Sequence, residues 1–134
     1  KAMFKYSRFE RNSDFSGSSF MNDSTFKYAQ FDENISFKDT NFNKNATFKY
    51  AKFNTNVSFS NAVFKDSATF KYTNFFNGVS FKNTNFEEDL NIKYMKVSGE
   101  FNITNMKVAY EIESKYTKIN GKSFNKYLLN SNKL

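Results

Sequence analysis

The sequence lacks cysteine, histidine, tryptophan and proline altogether, within a length of 134 residues. Without thiols and imidazoles the chain cannot form disulfides, the common zinc sites or a histidine general base, which excludes most familiar classes of enzyme. The absence of cysteine fits either side of a membrane and leaves the compartment open, although we favour the cytoplasm. No apolar run approaches the roughly 18 residues that a membrane-spanning helix needs, so we expect no transmembrane segment.

Charge of one sign is in excess, because 20 basic and 13 acidic residues give a formal net charge of +7. A surplus of this kind is typical of proteins that bind nucleic acid or an anionic membrane. The same richness in Lys, Asn, Phe and Tyr also follows from compositional drift alone. Charge by itself therefore does not decide between a functional and a neutral origin.

Nineteen phenylalanines dominate the apolar content, and most of them recur at steps that alternate between five and six residues. An α-helix needs apolar steps of three and four, and a half-buried strand needs steps of two, so neither produces this spacing. Such fixed self-similarity predicts a repeat solenoid with the rings in its core. The series is Phe4, Phe9, Phe15, Phe20, Phe26, Phe31, Phe37, Phe42, Phe48, Phe53, Phe59, Phe64, Phe70, Phe75, Phe81 and Phe86.

The full period of the sequence is 22 residues, because a tripeptide of the type Phe-Lys-Tyr returns at that interval. Each 22-residue unit carries four central positions, which predicts coils with four sides. Six units fill the chain, and the last two replace the leading phenylalanine. The six tripeptides begin at Phe4, Phe26, Phe48, Phe70, Ile92 and Ser114.

Small or β-branched residues occupy the position two before every ring of the series. Residues two apart in an extended segment point the same way, so a narrow interior would hold one ring and one small neighbour per side. We interpret the added residue of each six-residue step as a bulge at two opposite corners, where it tolerates a left-handed backbone or bonds the main chain in a turn. These residues are Asn12, Asn34, Asn56 and Gly78 in one column, and Asp23, Asn45, Ser67 and Asp89 in the other.

The five-residue segments at 29–33, 51–55 and 62–66 read AQFDE, AKFNT and AVFKD, with a small residue, a variable one, a central phenylalanine and two polar residues. This unit resembles that of the pentapeptide-repeat family, strongly over residues 2–88 and more weakly to about residue 119. The resemblance implies an all-β fold, a right-handed quadrilateral β-helix or solenoid of about six coils, stacked at about 4.8 Å. The extra residue at alternate units departs from the family pattern and leaves the regularity of two corners open.

The pattern changes in the fifth coil, where central positions become aliphatic and the small positions beside them become large. We interpret this as continued packing, with volume exchanged between neighbours and no ligand pocket. The new central residues are Ile92, Val97, Ile103 and Val108, and the enlarged neighbours are Leu90, Met95, Phe101, Met106 and Ile112.

We expect two different ends. The chain divides into a β-helix at residues 1–119 and an irregular C-terminal capping segment at residues 120–134. In the sixth coil only Ile119 is a normal central residue. We expect Tyr127, Leu128 and Leu129 to fold over the last coil. No cap precedes Phe4 and no initiator methionine is present, so either residues missing from an incomplete N-terminus or an end-to-end homodimer would cover the first coil.

Residues 22 apart stack into columns, and one edge of the rod gathers ten of the 20 basic residues and none of the acidic ones. Lysine follows the first central residue of every coil, tyrosine follows that lysine, and a largely basic third column that starts at Arg8 lies two residues further. We name this edge the Lys/Tyr stripe and treat it as the candidate site for an anionic partner. Its residues are Lys5, Tyr6, Lys27, Tyr28, Lys49, Tyr50, Lys52, Lys71, Tyr72, Lys93, Tyr94, Lys96, Lys115, Tyr116 and Lys118.

Two interpretations of the Lys/Tyr stripe remain open. In one, lysines contact phosphates while tyrosines contact bases or lipid headgroups. In the other, tyrosine stacks on tyrosine, lysine stems cover the rings, and duplication of the repeat copied the pair without a function. Five acidic residues on another side could bind a cation or act as acid and base, but such a run is more typical of a solvated corner; they are Glu87, Glu88, Asp89, Glu111 and Glu113. The ladder of Thr25, Thr47 and Thr69 could suggest ice binding, but three residues in one column are too few to support it.

The sequence therefore predicts a non-enzymatic scaffold or binding module, with no catalytic residue, cofactor or metal, that presents the Lys/Tyr stripe to a macromolecule. Nucleic acid and an anionic membrane surface are the candidate partners. The resemblance implies an alternative, because some pentapeptide-repeat proteins mimic duplex DNA and regulate or protect type II topoisomerases. That role requires a negative surface, which a net charge of +7 disfavours.

Overall fold

Two-residue strands separated by turns make up almost all of the computed structural model, which describes residues 1–131. Each coil contributes four strands, and the described chain holds five complete coils and half of a sixth. In chain order the strands of the coils are β1 (Ala2–Met3), β2 (Arg8–Phe9), β3 (Ser13–Asp14), β4 (Ser19–Phe20), β5 (Ser24–Thr25), β6 (Gln30–Phe31), β7 (Ile35–Ser36), β8 (Asn41–Phe42), β9 (Ala46–Thr47), β10 (Lys52–Phe53), β11 (Val57–Ser58), β12 (Val63–Phe64), β13 (Ala68–Thr69), β14 (Asn74–Phe75), β15 (Val79–Ser80), β16 (Asn85–Phe86), β17 (Leu90–Asn91), β18 (Lys96–Val97), β19 (Phe101–Asn102), β20 (Lys107–Val108), β21 (Ile112–Glu113) and β22 (Lys118–Ile119).

The strands pair in parallel into four sheets, one for each side of the coil, which confirms the predicted quadrilateral β-helix. Side 1 runs β1-β5-β9-β13-β17-β21, and side 2 runs β2-β6-β10-β14-β18-β22. Side 3 runs β3-β7-β11-β15-β19, and side 4 runs β4-β8-β12-β16-β20. The pairing places residues 22 apart beside each other, as with Ala46 and Ala68, so every column of the sequence becomes a column of the surface or core.

The core consists of four columns of stacked phenylalanine rings, one column behind each side. Successive rings of a column lie 4.4–5.3 Å apart between centroids and within 14° of parallel. Rings of opposite columns meet edge to face, as Phe48 behind side 1 and Phe59 behind side 3 do at 5.4 Å and 87°. Such pairs stabilise by about 0.5–1.5 kcal/mol each beyond the area that they bury. The predicted central positions are therefore confirmed as the core.

The first coil is packed less completely than the others. Phe4, Phe9, Phe15 and Phe20 are half-buried, whereas every phenylalanine of the series from Phe26 onward is buried. A ring in the first coil stacks on one described coil only, so its other face has no ring beside it within residues 1–131.

The six-residue corners differ from the prediction. Of the two predicted columns only Gly78 has a positive φ, at 92°, and most of the left-handed residues lie instead in the five-residue turns. The added residue spreads the bend over more backbone, so a left-handed residue is not needed there. Asn and Asp serve another purpose at these corners, because the side-chain oxygens of Asn12 and Asp23 accept hydrogen bonds from the backbone N–H of Asn34 and Asn45, one coil further.

The fifth coil packs as expected, with one exception. Ile92, Val97 and Ile103 are buried together with the enlarged neighbours Leu90, Met95 and Phe101, and Met106 and Val108 are half-buried. Ile112 was predicted to face the core, but 37% of it is exposed. The sixth coil stops after side 2, so no side 3 or side 4 of that coil covers this position within the described residues.

A hairpin and a helix close the C-terminal end. Strand β23 (Lys122–Ser123) pairs antiparallel with β22, and helix α1 (Phe124–Ser131) follows. Phe124, which is out of phase with the repeat, is buried against Phe101, and the Tyr127 hydroxyl donates a hydrogen bond to the Phe101 carbonyl at 2.7 Å. No helix within residues 1–131 is long and apolar enough to cross a membrane.

The predicted capping residues are confirmed in part. Tyr127 and Leu128 pack on the core, but Leu129 is 68% exposed because it points away from the coil on the outer face of α1. Ile119 is buried, as expected for the last normal central residue. The division of the chain after residue 119 stays a prediction, and residues 132–134 of the proposed capping segment lie outside the described residues.

Removing one ring from the middle of a column tests the stacked core. We expect Phe53→Ala to lower the free energy of unfolding by about 3–5 kcal/mol, because Phe53 is fully buried between Phe31 and Phe75. Phe9→Ala is the matched control, since Phe9 is half-buried and stacks on Phe31 alone. Urea unfolding should show a clearly smaller loss for Phe9→Ala, and equal losses would contradict the picture of a column stabilised from both sides.

Candidate anion-binding site

The corner between sides 1 and 2 positions the Lys/Tyr stripe through a tight turn. In the third coil the backbone N–H of Ala51 donates to the Phe48 carbonyl at 2.9 Å, which closes a four-residue turn around Lys49 and Tyr50. The five-residue step leaves only these two residues to turn the chain from side 1 onto side 2. Tyr50 accordingly adopts φ 62°, and all six tyrosines of the column have φ between 59° and 63°.

Tyrosine is an unusual residue for this conformation. The third residue of such a turn normally carries glycine or asparagine when its φ is positive, because a left-handed residue with a Cβ costs roughly 1–2 kcal/mol. The diagonally opposite corner, between sides 3 and 4, obeys that preference with Gly17, Asp39, Asn61, Asn83 and Asn105. The same strained position in the same fold therefore carries the expected residues at one corner and tyrosine at the other, and periodicity alone did not predict this.

Hydrogen bonds between coils hold the tyrosines above one another. The N–H of Tyr28 donates to the Lys49 carbonyl at 3.0 Å, and that of Tyr50 donates to the Lys71 carbonyl at 3.1 Å. The six rings form one ladder with centroids 4.6–4.9 Å apart. Neighbouring planes lie within 6° of parallel, apart from the last pair at 29°. Tyr stacking, which was one of the two interpretations of the stripe, is thus present.

The lysine ammonium groups lie beside these rings. Five lysines place Nζ 5.2–5.7 Å from the centroid of the tyrosine that follows, within the range of a cation–π contact. Lys93 is the exception, because its Nζ lies 3.2 Å from a carboxylate oxygen of Glu113. The stems of Lys27, Lys49 and Lys71 are half-buried, so the aliphatic chain covers the turn while the charge stays at the surface.

The third column of the edge carries charge less evenly. Arg8 Nε lies 2.7 Å from Asp32 and 3.9 Å from Glu10, so this cation is already paired. The hydrogen bond from Arg8, together with one from Gln30, holds the pKa of Asp32 below its usual range. Lys52, Lys96 and Lys118 are exposed, and no carboxylate within residues 1–131 lies within ion-pair distance of them.

The tyrosine ladder also affects ionisation. The pKa of the Tyr72 phenol is raised above its ordinary value, chiefly because the ring is partly removed from solvent. The neighbouring phenols of Tyr94 and Tyr50 add to the shift. Tyr72 therefore keeps its hydroxyl proton to higher pH than a free tyrosine would. At neutral pH the stripe offers protonated phenols and ammonium groups, and both are hydrogen-bond donors.

The acidic residues are less separate from the stripe than predicted. Glu113 lies on side 1 in β21, beside the lysine column, and neutralises Lys93. Asp89 instead accepts a hydrogen bond from the Glu111 N–H at the corner between sides 4 and 1. Within residues 1–131 no group of three or more acidic side chains is placed to hold a metal ion.

The predicted threonine ladder has a local role. The hydroxyl oxygens of Thr25, Thr47 and Thr69 accept hydrogen bonds from the N–H groups of the lysines two residues later, at 3.2–3.3 Å. Thr47 and Thr69 also line a groove of about 380 Å³ on side 1 that ends at Asp89 and Glu113. An anion beside the lysines would therefore meet hydroxyls in the middle coils and carboxylates further on.

Comparison with known proteins agrees with the geometry. A family profile described as pentapeptide repeats (9 copies) matches residues 4–52 and 48–95, which together cover more than half of the chain. No curated protein and no solved structure shows significant similarity to the chain.

Exchanging residues between the two tight corners tests why tyrosine is present. We expect Tyr50→Asn to lower the free energy of unfolding by about 1 kcal/mol, because losing two ring stacks and a cation–π contact outweighs the relief of a left-handed tyrosine. Tyr50→Phe should stay within about 0.5 kcal/mol, since that hydroxyl has no hydrogen-bond partner within the described residues.

The opposite exchange supplies the control. Asn61→Tyr places a lone tyrosine between Asp39 and Asn83, where φ is equally positive and no ring can stack. It should destabilise by about 1 kcal/mol. Urea unfolding of the three variants measures this, and a Tyr50→Asn protein more stable than the parent would show that the ladder contributes nothing to stability.

Proposed function

This chain belongs to the pentapeptide-repeat family, and on that premise we propose that it is a non-enzymatic rod that binds nucleic acid along the Lys/Tyr stripe. The observation that carries the proposal is the state of the ten basic residues on that edge. Only Arg8 and Lys93 form ion pairs within residues 1–131. Eight ammonium groups are thus left for a partner.

The distribution of charge supports a partner on this edge. The edge holds ten basic residues, and the rest of the chain holds ten basic and 13 acidic residues. The net charge of +7 is therefore the difference between a strongly positive edge and a slightly negative remainder. A charge concentrated in this way attracts a polyanion and orients it along the rod.

The shape of the edge favours a strand over a membrane. Lys27, Lys49 and Lys71 leave the end of side 1, whereas Lys52 and Lys96 leave the start of side 2, with the tyrosines at the corner between them. A flat bilayer meets a convex corner along a line and cannot contact both sides equally. A nucleic-acid strand can lie along the tyrosines with its phosphates between the two lysine columns.

The length of the stripe sets the size of the expected ligand. Six coils at a strand spacing of about 4.8 Å give a row of about 24 Å. At about 3.4 Å per phosphate along one strand, the row spans about seven nucleotides. Five lysine contacts to single-stranded nucleic acid would give a slope of about −3.5 in a plot of log affinity against log salt.

Reversing two charges in the middle of the stripe tests the proposal. We expect Lys49→Glu combined with Lys71→Glu to weaken binding to an oligonucleotide and to reduce the salt slope by about 0.7 per lysine. The measurement is fluorescence anisotropy with a labelled single strand over a series of salt concentrations.

Lys38→Glu combined with Lys82→Glu is the matched control, because both lysines follow a central phenylalanine at the opposite corner. The two double variants carry the same net charge. Equal losses would show that binding follows net charge and not the stripe. Binding of the parent protein to vesicles containing anionic lipid, without binding to the oligonucleotide, would contradict the choice of nucleic acid.

A further inference from the structure

The faces of the stripe's tyrosine rings are already occupied. Each ring of the ladder between its two ends has a tyrosine on both faces, at centroid distances of 4.6–4.9 Å. Five of the six rings also have a lysine ammonium beside them. A nucleobase needs a free ring face to stack, and the inner rings do not offer one.

Exposure along the ladder agrees with this. The end rings Tyr6 and Tyr116 are 67% and 56% exposed, whereas Tyr28 and Tyr94 are 40% and 39% exposed. Tyr50 and Tyr72, at the centre of the ladder, are less exposed than these four rings and are half-buried. What the inner tyrosines present to solvent is therefore an edge that carries the hydroxyl group.

The exposed edge is a row of donors. None of the six phenol hydroxyls of the ladder has a hydrogen-bond partner within residues 1–131, and neighbouring hydroxyls repeat at the coil spacing of about 4.8 Å. The unpaired lysine ammonium groups follow the same repeat. Phosphate oxygens accept hydrogen bonds from both groups, while a base offers no charge to either.

We infer that the Lys/Tyr stripe reads only the phosphodiester backbone of its strand, through phenol hydroxyls and ammonium groups, and that no base stacks on the inner tyrosines. This inference rests on the proposed function and makes it more specific. It changes the expected role of the tyrosines. They donate hydrogen bonds to the phosphates of the strand and do not serve as a surface on which bases stack. Binding should then be independent of base sequence.

Three labelled strands of equal length test the inference: one of mixed sequence, one abasic strand with the same phosphodiester backbone, and one with the same bases on an uncharged backbone. We expect the first two to bind within about threefold of each other, since a stacked base would contribute about fivefold or more. The uncharged strand should bind at least about tenfold more weakly. If the abasic strand binds at least fivefold more weakly than the mixed-sequence strand, the inference is wrong while the proposed function stands. If neither charged strand binds, both the inference and the proposed function are wrong.

Removing hydroxyls tests the role assigned to tyrosine. Tyr50→Phe combined with Tyr72→Phe keeps the rings and should weaken both charged strands by about three- to tenfold, with an unchanged melting temperature. Tyr110→Phe is the control, because Tyr110 is 66% exposed at the corner between sides 4 and 1, away from the stripe. An affinity within twofold of the parent for the double variant would overturn the hydroxyl contact.

One exposed ring near the stripe requires its own variant. Phe76 lies on side 2, two residues beyond the third column, and is 51% exposed. We expect Phe76→Ala to bind the mixed-sequence strand like the parent. A loss of fivefold or more that is absent with the abasic strand would place base stacking on side 2, and the inference would be wrong.

Discussion

The distance between paired β-strands and the distance between stacked aromatic rings agree closely, and the whole structure depends on that agreement. Strands pair at about 4.7–4.9 Å, and aromatic rings interact favourably at centroid distances from about 4.5 Å. A register of 22 residues places identical residues beside each other, so backbone pairing and ring stacking are satisfied together. Phe31 and Phe53 in the core, at 4.5 Å, and Tyr28 and Tyr50 on the surface, at 4.8 Å, follow from one geometric rule.

The spacing of phenylalanine, together with the recurring Phe-Lys-Tyr tripeptide, was sufficient to predict four sides, the 22-residue coil and the core, because these follow from periodicity. Backbone conformation does not. The positive φ of Tyr50 arises because a five-residue step leaves only two residues for the turn at the corner. Tyrosine as a residue type would instead suggest a negative φ. A comparison with Asn61 and its column, at the same phase half a coil later, was the signal that could have revealed the turn.

The ends and the charge pairs were predicted less well for a related reason. The repeat gives no rule for a coil that stops after side 2, so the exposure of Ile112 and the burial of Phe124 depend on tertiary packing. Column arithmetic placed ten basic residues on one edge correctly. It missed that Glu113 reaches Lys93 and that Asp32 reaches Arg8, because these contacts cross between columns. The free part of the candidate site is therefore smaller than the sequence suggested, with eight unpaired basic residues in place of ten.

If one rule of register creates both the core and the stripe, then adding a coil should extend both. The most direct measurement duplicates residues 48–69, which form one period, directly after Thr69, and compares the salt dependence of oligonucleotide binding with that of the parent. We expect a folded protein whose circular-dichroism spectrum still shows β-strands. Its slope should be steeper by about 1.4 units, because copies of Lys49 and Lys52 join the stripe and each contact contributes about 0.7. A protein that fails to fold would contradict the 22-residue register, and a folded protein with an unchanged slope would contradict the binding stripe.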